Sequence, residues 1–133
     1  MTVVVDASVV VALLVDGGPG GTWAASVVSG EDLAAPQLLH VEVANVLRRA
    51  ALAQDISDDV AALAHADLLD LHVATFSYEP LADRIWALRH NLTTYDAWYV
   101  AVAERLDAPL ATLDVRLGHA PGIDCRTLMP PPP

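Results

Sequence analysis

The chain opens with a run of β-branched apolar residues, Val3 to Val5, which contains no turn residue and ends at Asp6. Such a run predicts a strand that is buried on both faces, as in the centre of a parallel sheet. A helical apolar pattern follows over residues 9–15. Ligands of open α/β sheets bind beyond the carboxyl ends of the strands, so Asp6 occupies a position suited to chemistry. Alternatively, its side chain simply caps the following helix.

The rest of the chain alternates short apolar runs with helical patterns. Turn residues fill positions 16–21, which we interpret as a flexible connection, and Thr22 is placed to cap the next helix. Further strands are predicted at 32–35, 73–77, 110–112 and 123–126, and further helices at 22–28, 37–54, 56–71, 80–90, 94–106 and 115–119. Strands that alternate with helices imply an α/β fold, with a parallel sheet between two layers of helices.

The bulk properties fit one soluble, folded domain. The chain has 133 residues, of which 54% are hydrophobic, enough to bury a core. We expect the domain to span residues 1–126, followed by a proline-rich tail at 127–133. No apolar run is long enough to span a bilayer, no signal-peptide pattern precedes the first strand, and Cys125 stands alone. These features predict a cytoplasmic protein without membrane contact.

The charge balance limits the classes of function. The formal net charge is −10, all seven basic residues are arginine, and lysine is absent. A broad electrostatic surface for nucleic acid is therefore not expected. Schiff-base chemistry is excluded, and a P-loop, which needs a lysine, is disfavoured. A nucleic-acid substrate remains possible because metal ions can bridge carboxylates and phosphates.

Two aspartates directly follow predicted strands, and a third begins a helix. Asp6 and Asp114 would emerge at one edge of the sheet if their strands are parallel neighbours. Asp96 falls in the first turn of a helix that Thr94 is placed to cap, near the positive end of the helix dipole.

A fourth acid, Glu42, borders the apolar face of the longest predicted helix. A carboxylate in that position is unfavourable unless it is paired or bound to a metal. Asn45 and Arg49 lie on roughly the same side of the helix. Asn45 is a candidate supporting residue, whereas an ordinary ion pair of Glu42 with Arg49 or with a neighbouring helix is the simpler explanation of Glu42.

Four carboxylates in one pocket need a counter-charge. At about 5 Å and an effective dielectric constant near 20, each pair of unit charges repels by roughly 3 kcal/mol. Several such pairs would threaten a domain whose stability is about 5–15 kcal/mol. Oxygen ligands favour magnesium or manganese over zinc, so the four acids predict a site for such an ion.

Four segments carry a resemblance to a known family: VVVDAS at 3–8, EVANVL at 42–47, TYDAWYVAVAE at 94–104 and LATLD at 110–114. In this order and spacing the chain resembles a PIN domain, and in particular the bacterial VapC-type toxin ribonucleases. The likeness covers nearly the whole chain. It implies a PIN-like three-layer α/β/α sandwich with a central, mostly parallel sheet.

The resemblance also implies an activity and its residues. Members of the family cut RNA with magnesium or manganese, and their metal-site acids fall on Asp6, Glu42, Asp96 and Asp114. Thr112 falls where the family often has a hydroxyl beside the site. Two-metal logic makes Asp6 and Asp96 the expected main ligands. A cognate VapB-like antitoxin and a homodimer are the implied protein partners, and RNA is the implied substrate.

Other folds also place an aspartate after the first strand. Receiver domains and haloacid-dehalogenase-like phosphatases require a late lysine, which this chain lacks, and the phosphatases need an aspartate where Ser8 stands. The serious alternative is a PIN-like protein-interaction module with little or no nuclease activity.

Overall fold

The apolar run that opens the chain forms the central strand of a five-stranded, entirely parallel sheet with the order β3-β2-β1-β4-β5. The computed structural model describes residues 1–133. The strands are β1 (Thr2–Val5), β2 (Asp32–Pro36), β3 (Val73–Phe76), β4 (Leu110–Ala111) and β5 (Thr127–Leu128). Since β1 has a neighbour on each edge and helices above and below, Val3, Val4 and Val5 are almost completely buried. The strand predicted from their side chains is confirmed.

Seven α-helices cover the sheet: α1 (Ala7–Val15), α2 (Pro19–Val28), α3 (Leu39–Leu52), α4 (Asp58–Asp70), α5 (Ala82–Ala87), α6 (Thr94–Leu106) and α7 (Val115–Gly118). Helices α1 to α4 pack against one another, while α5 packs on α6, and α6 lies against β1, β2 and β4. The predicted three-layer α/β/α sandwich is therefore confirmed. None of the helices is long and apolar enough to cross a membrane.

The long helix α3 follows its predicted periodicity. Leu39, Val43 and Leu47 are buried, and they recur every four residues along one face. Helix α4 likewise begins where its sequence predicts, because the Ser57 hydroxyl caps it by accepting from the Val60 amide. Local signals and tertiary packing agree in these two elements.

The interpretation of residues 16–21 as a flexible connection is wrong, because α2 begins at Pro19. Proline at the first helical position is favourable, and Gly18 rather than Thr22 is the N-cap. A Cβ on Gly21 would lie 1.8 Å from the carbonyl oxygen of Asp16. This glycine is therefore needed for the close approach of α1 and α2.

Two further elements also differ from the predictions. The strand predicted at 123–126 is a loop, and β5 comes later, so the sheet takes in the first two residues of the segment 127–133. Hydrogen bonds from Arg84 to the Gly122 carbonyl and from the Asp124 amide to Glu104 hold this loop away from the ladder. The helix predicted at 80–90 is a 3₁₀ turn (Glu79–Leu81) followed by α5.

Candidate active site

The strand order brings distant acids to one edge of the sheet. Strands β1 and β4 are parallel neighbours with Val5 opposite Ala111. Asp6 and Asp114 follow at the carboxyl ends of these two strands. Helices α3 and α6 begin near the same edge and contribute Glu42 and Asp96. The condition that the sequence left open, that the two strands are parallel neighbours, is met.

All four acids lie at helix N-termini. Asp6 and Asp114 are the N-caps of α1 and α7, and Glu42 and Asp96 lie in the first turns of α3 and α6. Unpaired backbone N–H groups and the helix dipole both favour a negative charge at these positions, by about 0.3–1 kcal/mol each. The fold therefore partly compensates the mutual repulsion of the acids.

Asp6 is the most buried of the four, and both of its oxygens are held. Oδ1 accepts from the Ser8 hydroxyl at 2.5 Å and from the Val9 amide at 3.1 Å, and Oδ2 accepts from the Thr112 hydroxyl at 2.5 Å. Its two sequence interpretations, as a helix cap and as a member of an acid cluster, therefore hold at the same time.

Two hydroxyls tie Asp6 to the end of β4. The Ser8 hydroxyl accepts from the Leu113 amide at 3.0 Å, and the Thr112 hydroxyl accepts from the Asp114 amide at 2.9 Å. Each hydroxyl thus donates to Asp6 and accepts from the neighbouring loop. The relative position of Asp6 and Asp114 is fixed by these two bridges. Thr112, a candidate supporting residue, lies beside the site as the resemblance implied.

The carboxylate of Glu42 contacts Tyr99 of α6 and not Arg49 of its own helix. Its Oε1 accepts from the Tyr99 hydroxyl at 2.7 Å. It forms no ion pair, so the pairing with Arg49 weighed above is not observed, and Arg49 is exposed. Asn45 is exposed and makes no side-chain hydrogen bond, so it is not brought into contact with the acids.

The pKa shifts show that the negative charge of one acid disfavours the charged form of the next. Burial raises the pKa of Asp6, and the charge of Asp96 adds to the effect. Burial is also the main cause that raises the pKa of Glu42, with further contributions from Asp96 and Asp6. The pKa of Asp96 is raised by burial and then by the charge of Asp114. The four carboxylates therefore form one electrostatically coupled cluster.

One cation borders this cluster. The Nε atom of Arg116 lies 3.7 Å from Oδ1 of Asp114, and its positive charge lowers the pKa of Asp96, against the larger effect of burial. The Arg116 side chain is 93% exposed. It therefore offsets little of the negative charge.

The donor set fits a hard divalent cation with an open coordination sphere. It consists of carboxylate and hydroxyl oxygens, which magnesium and manganese prefer. No three acidic, histidine or cysteine side chains converge closely enough to hold a metal ion by themselves. Magnesium commonly binds through one or two carboxylates and keeps several waters. A cation bound here would thus retain positions for water and for substrate oxygens.

Sequence reasoning did not identify Ser8 or Tyr99 as part of this site. Ser8 stands two residues after Asp6, a spacing at which a hydroxyl commonly reaches a neighbouring polar group. Tyr99 is three residues after Asp96 on α6, and an aromatic residue on an apolar helix face indicates core packing rather than a site residue. The ring of Tyr99 is buried, but its hydroxyl donates a hydrogen bond to Glu42 on helix α3.

The fold and the acid cluster define the class of protein. The family model described as the PIN domain matches residues 3–123, and the chain belongs to this family. The resemblance based on the four sequence segments is thereby confirmed.

The curated relatives of the chain include two proteins of Mycobacterium tuberculosis. Ribonuclease VapC1 is 42% identical over 92% of each chain. Ribonuclease VapC12 is 37% identical over 90% of this chain and 92% of its own. The fold also matches the structure of VapBC2 from Rickettsia felis bound to a promoter DNA fragment, with a TM-score of 0.68 and 9% identity over 97% and 98% of the chains. At that identity the match concerns the fold alone.

Proposed function

We propose that this protein is a metal-dependent endoribonuclease that acts as the toxin of a type II toxin–antitoxin pair. The observation that carries the proposal is the cluster of four carboxylates at the carboxyl edge of the sheet, with a single exposed arginine beside it. Two relatives with 37–42% identity are named ribonucleases, which supports the same activity.

The cluster suggests a division of roles among the acids. Asp6 and Asp96 would hold the cation, magnesium or manganese, and Asp6 is held rigidly by its hydroxyl partners. When bound, the cation would neutralise charge on the RNA phosphate and make water more acidic. Glu42 and Asp114 would bind the cation directly or through its water molecules, and one of them would accept a proton from the attacking water.

An acidic protein needs such a cation for an anionic substrate. The chain carries a formal net charge of −10, and the cluster would repel an RNA phosphate at short range. A divalent ion between the carboxylates and the phosphate would replace this repulsion with attraction. Catalysis should therefore require the ion for substrate binding as well as for the chemical step.

The direct test is RNA cleavage by the purified protein without any partner. Fragments of total RNA should appear with Mg²⁺ or Mn²⁺ and disappear with a chelator. Asp6→Asn should lower the cleavage rate by a factor of about 10²–10³, on the scale of a lost catalytic electrostatic group. Asp67→Asn, an equal charge change at an exposed position of α4, should cleave like the wild type.

Fragments that persist in the chelator or in folded Asp6→Asn would contradict the proposal. Absence of metal-dependent fragments from both structured and single-stranded RNA would favour the protein-interaction alternative instead.

The proposed partners are a VapB-like antitoxin and a second copy of this chain. An apolar groove of about 420 Å³ is lined in part by Ser8, whose hydroxyl donates to Asp6, and by Leu113, the residue before Asp114. Its apolar lining comprises Ala7, Val11, Ala12, Val15, Val46 and Leu113. An apolar antitoxin segment in this groove would lie next to the acids and could block them. Co-purification with the antitoxin and light scattering of the free protein would check these two assemblies.

A further inference from the structure

The core of the protein contains a hydroxyl whose only hydrogen bond within the chain goes to a carboxylate of the cluster. Tyr99 lies on α6 and is 1% exposed. Its hydroxyl donates to Oε1 of Glu42 at 2.7 Å, from one helix to another across the sandwich interior. The other two tyrosines, Tyr78 and Tyr95, make no side-chain hydrogen bond of this kind.

We propose that Tyr99 is a positioning residue for the nuclease site: its hydroxyl fixes one oxygen of Glu42 and leaves the other for the cation or its water. The inference rests on the proposed metal-dependent function. It assigns to Tyr99 no contact with substrate.

The partly buried Glu42 needs such a partner more than the buried Asp6 does. Asp6 has a short side chain and three hydrogen bonds. Glu42 has a longer side chain, which has more conformational freedom to lose when it is fixed, and it has no ion pair. Among the side-chain contacts, the Tyr99 hydroxyl alone holds its carboxylate. Without this hydroxyl, Glu42 could swing toward solvent, away from the repulsion of Asp6 and Asp96.

A purely structural role for the hydroxyl is the alternative. A phenylalanine would fill the same apolar space, and it would bury no polar group that requires a partner. The hydroxyl adds a directional contact from a buried ring to the longer side chain of Glu42. Groups of this kind behind a metal ligand typically change metal affinity or activity by about 10–100-fold when they are removed.

Tyr99→Phe tests the proposal because it removes only the hydroxyl. Mn²⁺ affinity, measured by titration calorimetry on the metal-free protein, should fall at least about tenfold, within the range for a ligand's supporting group. The matched control is Tyr78→Phe, which removes a hydroxyl from a partly buried tyrosine packed on Trp98. It should bind Mn²⁺ like the wild type. An unchanged affinity in a folded Tyr99→Phe protein would overturn the proposal.

A double-mutant cycle separates positioning from a general loosening of the core. In a Glu42→Gln background, Tyr99→Phe should change Mn²⁺ affinity less than about twofold, because the residue that it positions is already altered. If Tyr99→Phe lowered Mn²⁺ affinity equally in the Glu42→Gln background, Tyr99 would not act through Glu42. That result would refute the assignment.

Crystal structures of the wild type and Tyr99→Phe give a readout that does not depend on catalysis. The Glu42 carboxylate should leave its wild-type position in the variant, and an unmoved carboxylate would contradict the proposal. If the wild-type protein neither binds Mn²⁺ nor cuts RNA, the nuclease function fails. The structural comparison still decides whether Tyr99 positions Glu42.

Discussion

A carboxylate at a helix N-terminus satisfies backbone donors whether or not it binds anything else. Asp6 and Asp114 both do so here, while also belonging to the acid cluster. The sequence alone indicates such positions, because a strand end and a helix start are local signals. It does not indicate that Thr112 reaches Asp6 across 106 positions, because that contact depends on strand order. The cap of α6 was also misplaced by one residue, since Thr93 rather than Thr94 accepts from the Asp96 amide.

Asp96→Asn should stabilise the metal-free protein near neutral pH. The pKa of Asp96 is raised by burial and by Asp114, so its charged form is disfavoured in the folded state. Because solvent screens this half-exposed group, the expected gain is about 0.5–1 kcal/mol, or about 2–4 °C in Tm. Thermal unfolding with a chelator present measures it.

The exposed Asp67→Asn variant is the control, and its free energy of unfolding should change by less than about 0.5 kcal/mol. A lower Tm for Asp96→Asn in the chelator would show that the cluster does not strain the metal-free fold.

At the scale of elements, hydrophobic periodicity predicted most of the helices and strands. The pattern succeeds for α3 because its apolar face agrees with the packing, and for α4 because Ser57 caps its start. It fails at α2, where two glycines in the first turn have the composition of a loop. Gly21 is required because α1 and α2 approach closely, which is a tertiary requirement that no local pattern contains.

Gly21→Ala should destabilise the fold strongly. The new Cβ would lie 1.8 Å from a backbone carbonyl oxygen of Asp16, and a backbone atom cannot move aside as a side chain can. The helices α1 and α2 would have to separate, at a cost of at least about 2 kcal/mol. Urea unfolding provides the measurement.

Gly17→Ala serves as the companion substitution, since no atom lies within 4 Å of a Cβ at that position. It should change the free energy of unfolding by less than about 0.5 kcal/mol. Equal stability of the two variants would mean that the close approach of α1 and α2 is not required.

On the scale of the whole molecule, the strand order decides where the chemistry is placed. The order β3-β2-β1-β4-β5 puts the first strand beside one that begins more than 100 residues later in the sequence. Sequence patterns predicted a parallel sheet but not this order, because no local signal records which strands pair. Before the structure, the grouping of the four acids depended on the assumption that the strands before Asp6 and Asp114 are parallel neighbours, and on the resemblance to a family. Their mutual coupling is a property of the complete fold.

Magnesium should stabilise the protein in a pH-dependent way. Folding raises the pKa values of Asp6, Glu42 and Asp96, chiefly through burial. Their stabilising contribution is therefore full below about pH 4, where unfolded carboxyls titrate, and is lost as the pH rises through the folded pKa values. Near neutral pH, Mg²⁺ at a hundredfold excess over its Kd should restore about 2.7 kcal/mol. At about pH 4 it should have little effect, since protons occupy the acids.

Differential scanning calorimetry at the two pH values provides the comparison, with sodium chloride at matched ionic strength as the control for screening. A similar gain with sodium, or an equal magnesium effect at both pH values, would argue against a specific cation site.

The two edge strands of the sheet differ in whether a further strand can pair with them. On one side, β5 contributes only Thr127–Leu128, and the chain then runs into four consecutive prolines, which have no amide hydrogen to donate. On the other side, β3 offers four residues, and its Ala74 and Thr75 are exposed. An extra strand, from a neighbouring copy or another polypeptide, would therefore join this sheet beside β3, leaving the opposite border closed to growth.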